Sequence, residues 1–163
     1  MVRSVRHTSG DVAVIVATLA SLAVSAHACR SGGGIEGTYA GTSLGTMTPR
    51  GAGAGASIEE RGAATATVRR AGDRLTVAIG DNGHPPLCTF ALTGGPMTWA
   101  FVPDEVCQQG RADDGVTSTV VSGSARFDGH SVSIELRTSV VFTGPEAPMP
   151  GGTHVMRFTG RRN

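Results

Sequence analysis

The chain has 163 residues, with 14 arginines and no lysine against 13 acidic residues, a net charge of +1 when its histidines are neutral. So even a balance gives no overall electrostatic attraction to nucleic acid or anionic lipid. The length is that of a single domain with one core, behind a leader.

Arg3, Arg6 and His7 give the first residues a positive charge, and Val12 to Val24 form a run of apolar and small residues. Thirteen residues at a helical rise make ~20 Å, short of the ~30 Å hydrocarbon core that a permanent span must cross. Ala26-His27-Ala28 then places small residues at the two positions a signal peptidase reads. That order of basic, apolar and small residues predicts a secretory signal over residues 1–28.

Cys29 follows at once, and this boundary resembles the lipobox of bacterial lipoproteins. It departs from that family in having Ala26 where Leu is usual and the bulky His27 where a small residue is usual. The resemblance implies a diacylglyceryl group on the Cys29 thiol, a membrane partner held through that anchor, and a stable attachment from the two chains. Arg30 stands where inner-membrane lipoproteins of Gram-negative bacteria carry Asp, which implies the outer membrane. Ordinary cleavage after Ala28 is the alternative, leaving a soluble periplasmic or secreted protein. Residues 29–34 then form an attachment site and flexible tether, and 35–163 a single β-domain. Arg30 to Gly34 reach at most ~17 Å, keeping that domain near its membrane.

Three cysteines in an exported chain leave one over when a disulfide forms. Pairing Cys88 with Cys107 and acylating Cys29 uses all three. Such a bridge closes a loop of ~20 residues and contributes ~3 kcal/mol. Two buried free thiols are the alternative.

Beyond the tether the pattern has period two, as in half-buried strands. Ile35 to Ser43 alternates around Tyr39. Ala64, Ala66 and Val68 alternate with polar residues, and a turn at Ala71-Gly72-Asp73 leads to Leu75, Val77 and Ile79. Asp81 to Pro86 breaks the chain before Cys88, Phe90 and Leu92. Thr93 to Pro96 turns it again before Met97, Trp99 and Phe101. Val121, Gly123, Ala125 and Phe127 lead into a tight turn at Asp128-Gly129, and Val132, Ile134 and Leu136 return in a strand running on to Phe142. Gly144 to Gly152 is a loop, and Met156 and Phe158 mark a last strand. The seven aromatics (Tyr39, Phe90, Trp99, Phe101, Phe127, Phe142, Phe158) all fall in strands and are expected to fill a core.

About eight antiparallel strands in sequential hairpins predict an all-β meander, closed or nearly closed into a barrel, with a two-sheet sandwich as the alternative. The strand count and the opening strand Gly37-Thr38-Tyr39-Ala40-Gly41 resemble small lipocalin-like and avidin-like barrels. The likeness is architectural and carries no binding residues across. Leu44 to Gly62, with its Gly-Ala repeat, is expected to be a mobile loop. Within it Ser57-Ile58-Glu59-Glu60 has the form of a cap for one helical turn, but no apolar run follows it.

No constellation of catalytic residues emerges from spacing. Gly41-Thr42-Ser43-Leu44-Gly45 matches the G-x-S-x-G pattern, but that chemistry needs a strand, a strained turn and a helix. The Gly-Ala repeat lacks G-x-G-x-x-G spacing, and without lysine there is no Walker A motif. His84, His130 and His154 have no zinc-pair spacing. Asp104, Glu105, Asp113 and Asp114 have no calcium-loop spacing and read as solvated charge. Arg69-Arg70 and Arg161-Arg162 are isolated pairs. The expectation is a non-enzymatic cell-envelope lipoprotein, without cofactor or nucleic acid, whose β-domain binds a small apolar ligand or a protein partner. The alternatives are a structural scaffold and a small secreted hydrolase using Ser43 or a histidine. Ala64, Ala66, Gly123 and Ala125 are small inward candidates that would leave space, while the aromatics would consume it. A cavity of ~300 Å³ or more with converging polar groups favours ligand binding; a solid core favours a scaffold.

Overall fold

A computed structural model describes residues 34–51, 55–81, 86–145, 147 and 149–163. The leader, Cys29 and most of the tether lie outside the described residues, as do 52–54 of the Gly-Ala repeat and 82–85 of the breaker with His84. The described residues contain no helix. They form nine strands: β1 Gly37–Pro49, β2 Ile58–Ala71, β3 Arg74–Asp81, β4 Thr89–Gly94, β5 Thr98–Phe101, β6 Val106–Gly110, β7 Gly115–Asp128, β8 Ser131–Thr143 and β9 Gly151–Arg162.

Every pairing is antiparallel, in the order β5-β4-β3-β2-β1-β9-β8-β7-β6. Trp99 of β5 pairs with Ala125 of β7, which joins the two ends of that order and closes an eight-stranded barrel. The ninth strand, β6, continues along β7 beyond β5, Val106 opposite Thr119. Closure removes the free edges, so the sandwich does not form.

The hairpin turns fall where the sequence places them. Ala71 pairs with Arg74 across Gly72-Asp73, and Asp128 pairs with Ser131 across Gly129-His130. Gly129 has φ 54°, a left-handed conformation that favours glycine at such a tight turn.

Four expectations are corrected. Leu44 to Gly62 is mostly strand. β1 runs to Pro49 and β2 starts at Ile58, with Gly45 opposite Glu60 and Thr46 opposite Glu59. β9 supplies a second ladder on the other side of β1, as far as Pro49 opposite Gly152. Two flanking ladders hold a glycine-rich strand that offers little side-chain packing of its own. Ser57 to Glu60 caps no helix, since β2 begins there.

The acidic stretch around Cys107 includes a strand, β6. Glu105 leads into it, its carboxylate accepting a hydrogen bond from the Ala91 N–H at 2.6 Å. The third correction is at Val121, expected inward. Val120 pairs with Thr138 and Ser122 with Arg137, leaving Val121 as the extra residue of a β-bulge. The bulge turns it outward, 48% exposed, while Val120 is fully buried.

Finally, two of the small inward residues, Ala66 and Ala125, are taken up in seating aromatic rings. Ala66 lies opposite Tyr39, and Ala125 lies opposite Trp99. Both alanines are fully buried. They make room for the aromatic rings instead of a ligand.

The solid part of the core lies at the end where β1 starts and β9 finishes. Tyr39, Trp99, Phe127, Val132 and Phe158 are buried there. Tyr39 and Phe127 pack with ring centroids 6.1 Å apart. Burying a large apolar side chain contributes ~1.5–3 kcal/mol, so this closed end anchors the fold. Phe90 and Phe142 are only half-buried. Arg162 seals the closed end, donating to the carbonyls of Gly34 and Glu36 and to the Tyr39 hydroxyl.

Candidate functional site

The opposite end of the barrel is less filled. Alternation along β1 points Ser43, Gly45 and Met47 inward, and along β9 it points His154 and Met156 inward. β2 adds Ile58, Glu60 and Gly62, and β3 adds Asp81. Together these residues enclose a hollow of about 120 Å³. A second hollow of about 140 Å³ shares His154 and Met156 and runs against Ile79, Phe90, Phe101, Gln109, Ser118 and Thr138. The mouth therefore has an apolar wall with a few polar groups converging on it. Each hollow is smaller than a drug-sized pocket.

His154 occupies the junction. An added Cβ on Gly45 would come within 2.9 Å of its Nε2, so the absent side chain at Gly45 is what admits the imidazole. Burial pushes the His154 pKa below its ordinary value, and the Glu60 carboxylate partly offsets this. The ring is therefore neutral at pH 7. Thr138 pairs with His154 across β8 and β9 and is buried. Gln109 donates from Nε2 to Cys88 Sγ at 3.2 Å.

Cys88 and Cys107 form a disulfide, with Cα atoms 5.8 Å apart. The bridge ties β6 to the segment entering β4, and Cys88 also borders the second hollow. Its place is beside the mouth, where β6 would otherwise be held by β7 alone.

The G-x-S-x-G match has no elbow around it. Ser43 is a mid-strand residue paired with Gly62 on one side and Phe158 on the other. Ser43 and His154 border the same hollow, but His154 is paired with Met47, four residues along β1. No hydrogen bond joins them among the described residues. His130 sits at the closed end in the β7–β8 turn, where its carbonyl accepts from the Arg162 N–H at 2.7 Å. Asp104, Glu105, Asp113 and Asp114 do not converge: among the described residues no group of three His, Cys, Asp or Glu is placed to hold a metal ion.

Sequence reasoning missed Glu60, Asp81, Gln109 and Thr138 as mouth residues. The signal was available only in part. Asp81 continues the inward phase of Leu75, Val77 and Ile79, and Thr138 that of Val132, Ile134 and Leu136. Glu60 was hidden by reading its segment as loop.

No protein-family description matches the chain, and no curated protein matches it. Among solved structures, the monomer form of the M. tuberculosis PknI sensor domain aligns at 15% identity. The alignment covers 79% of this chain and 88% of that one, with a TM-score of 0.32. That superposition is too loose to identify a relative.

Proposed function

We propose that this chain is an exported, non-enzymatic binding domain of the bacterial cell envelope, anchored to the outer membrane through a lipid on Cys29, and that its mouth receives a small, largely apolar group. The observation that carries the reading is the contrast between the two ends. The closed end is packed solid, whereas the mouth keeps two adjoining hollows around His154 and Met156. Glu60 and Asp81 at the first hollow disfavour an anionic ligand, and no arginine borders either hollow. A neutral or cationic head on an apolar body fits this lining.

The disulfide supports export, because such bridges persist in oxidising compartments. Gly34, the first described residue, is held at the closed end by Arg162. A lipid five residues upstream would thus draw the closed end toward the membrane and turn the mouth away from it.

Titrating the exported protein with small neutral or cationic amphiphiles tests the binding. A saturable amphiphile site is expected, blocked by Ser118→Phe, which fills the second hollow. Absence of any saturable amphiphile site supports the scaffold reading, which the solid closed end favours. Loss of a measurable hydrolysis on Ser43→Ala would establish the hydrolase instead. The intact mass of membrane-extracted protein reports cleavage point, acylation and thiol state together.

A further inference from the structure

We infer that the outer face of the barrel near the closed end carries a binding site for a phosphate-bearing lipid headgroup, clasped between Arg126 and Arg161. The site is separate from the mouth and does not depend on what the mouth binds. It draws on the membrane reading only for the source of the phosphate.

The strand register builds it. Arg126 of β7 pairs with Ser133 of β8, and Arg161 of β9 pairs with Ser131 of β8. The two arginines thus flank β8, two strand spacings across and two residues along, or ~12 Å apart, and the residues between them on that face are serines. Long side chains beside short ones leave a trough. Its volume is about 570 Å³, and Thr159, opposite Ser133, adds a third hydroxyl.

Neither guanidinium is in an ion pair among the described residues. The nearest outward carboxylate on β8, Glu135, is engaged by Arg157 at 3.0 Å. Asp128 also borders the trough and opposes an anion there, while its carbonyl accepts from the Ser131 hydroxyl at 3.1 Å. Two planar guanidinium forks with hydroxyls between them suit the oxygens of a phosphodiester, since Arg binds phosphate in a bidentate manner.

Position selects a lipid over a free anion. Arg69, Arg70, Arg74, Arg126, Arg161 and Arg162 all lie at the closed end, against Glu36, Asp73 and Asp128. The chain is neutral overall, but its charge is unevenly placed, and the basic end is the one from which the tether leaves. Anionic headgroups attract basic segments held at a membrane surface.

The test uses the exported chain with Cys29→Ala, which removes any acyl anchor. It is titrated with dihexanoylphosphatidylglycerol below its micelle concentration, following the arginine Nε–H signals. The expected result is saturable binding, weakened about tenfold by Arg126→Gln or by Arg161→Gln. Asp128→Asn should tighten it, Arg61→Gln, on β2 away from the trough, should leave it unchanged, and added salt should weaken it. These residues are exposed, so unfolding midpoints report that the variants stay folded. Equal affinity for inorganic phosphate, or no saturation, overturns the proposal. Amphiphile binding at the mouth, measured on the same variants, should not change, so the two readings fail separately.

Discussion

Replacing Tyr39 by Phe removes one oxygen from the point where Ile35 and Arg162 meet at the closed end of the barrel. Tyr39 is 0% exposed, and its ring contacts, including Phe127 at 6.1 Å, survive in Phe. Two hydrogen bonds do not: the hydroxyl donates to the Ile35 carbonyl at 2.7 Å and accepts from Arg162 at 3.1 Å. A neutral hydrogen bond contributes ~1 kcal/mol net, and one to a charged group ~1.5–3 kcal/mol. Arg162 keeps the carbonyls of Gly34 and Glu36 as acceptors, so its share falls at the low end. The expected loss is about 2 kcal/mol, or roughly 6–10 °C in Tm for a domain of this size. Urea unfolding followed by the buried Trp99, the chain's single tryptophan, measures it. In an Arg162→Gln background the same substitution should cost about 1 kcal/mol less, and amide exchange over residues 35–38 should quicken. A loss below ~0.5 kcal/mol, or no coupling to Arg162, refutes the idea that this cluster pins the segment Gly34 to Glu36.

His154 should titrate below the ordinary histidine value near 6.5, and Glu60→Gln should lower it further, both read by NMR of the ring protons. Because the folded form resists protonation, His154 leaves stability intact above the unfolded pKa and withdraws it as pH falls from there through the lowered folded value. His154→Gln should flatten that acid limb in denaturation curves taken between pH 7 and 5. Reducing the Cys88–Cys107 bridge should cost about 3 kcal/mol, visible as a shifted urea midpoint with and without reductant. Val120→Ala should destabilise by about 2 kcal/mol and Val121→Ala by less than ~0.5 kcal/mol, since only the first is in the core. Equal losses at the two positions would remove the bulge.

Alternation made the barrel legible wherever one face of a strand is apolar. Val132, Ile134 and Leu136 point inward as their spacing requires, and the turns at Gly72-Asp73 and Gly129-His130 fall between the paired strands. The rule fails where neighbouring residues give it nothing to contrast. Val120 and Val121 are equally apolar, so the sequence holds no mark of which one the bulge ejects. Gly45 has no side chain to signal a face, and the upper half of β1 therefore reads as loop although two ladders hold it. β6 carries a half-buried cysteine between an exposed valine and glutamine, too little contrast to register as a strand.

The candidate sites were less legible for a related reason: each is made by residues that only closure brings together. His154 reads as a lone histidine until β1 lies beside β9 and Gly45 opens a place for its ring. Arg126 and Arg161 are 35 positions apart in the sequence and become neighbours only across β8. A net charge summed over the chain cancels the basic closed end against acidic residues elsewhere, so neutrality in composition is compatible with a strongly sided surface. The barrel has two unlike ends, one filled, basic and next to Gly34, the other hollowed and bordered by Glu60 and Asp81. On the proposed anchoring, a domain held by its filled end would present the hollow one outward, and the asymmetry would give the proposed membrane contact and ligand separate places on one small fold.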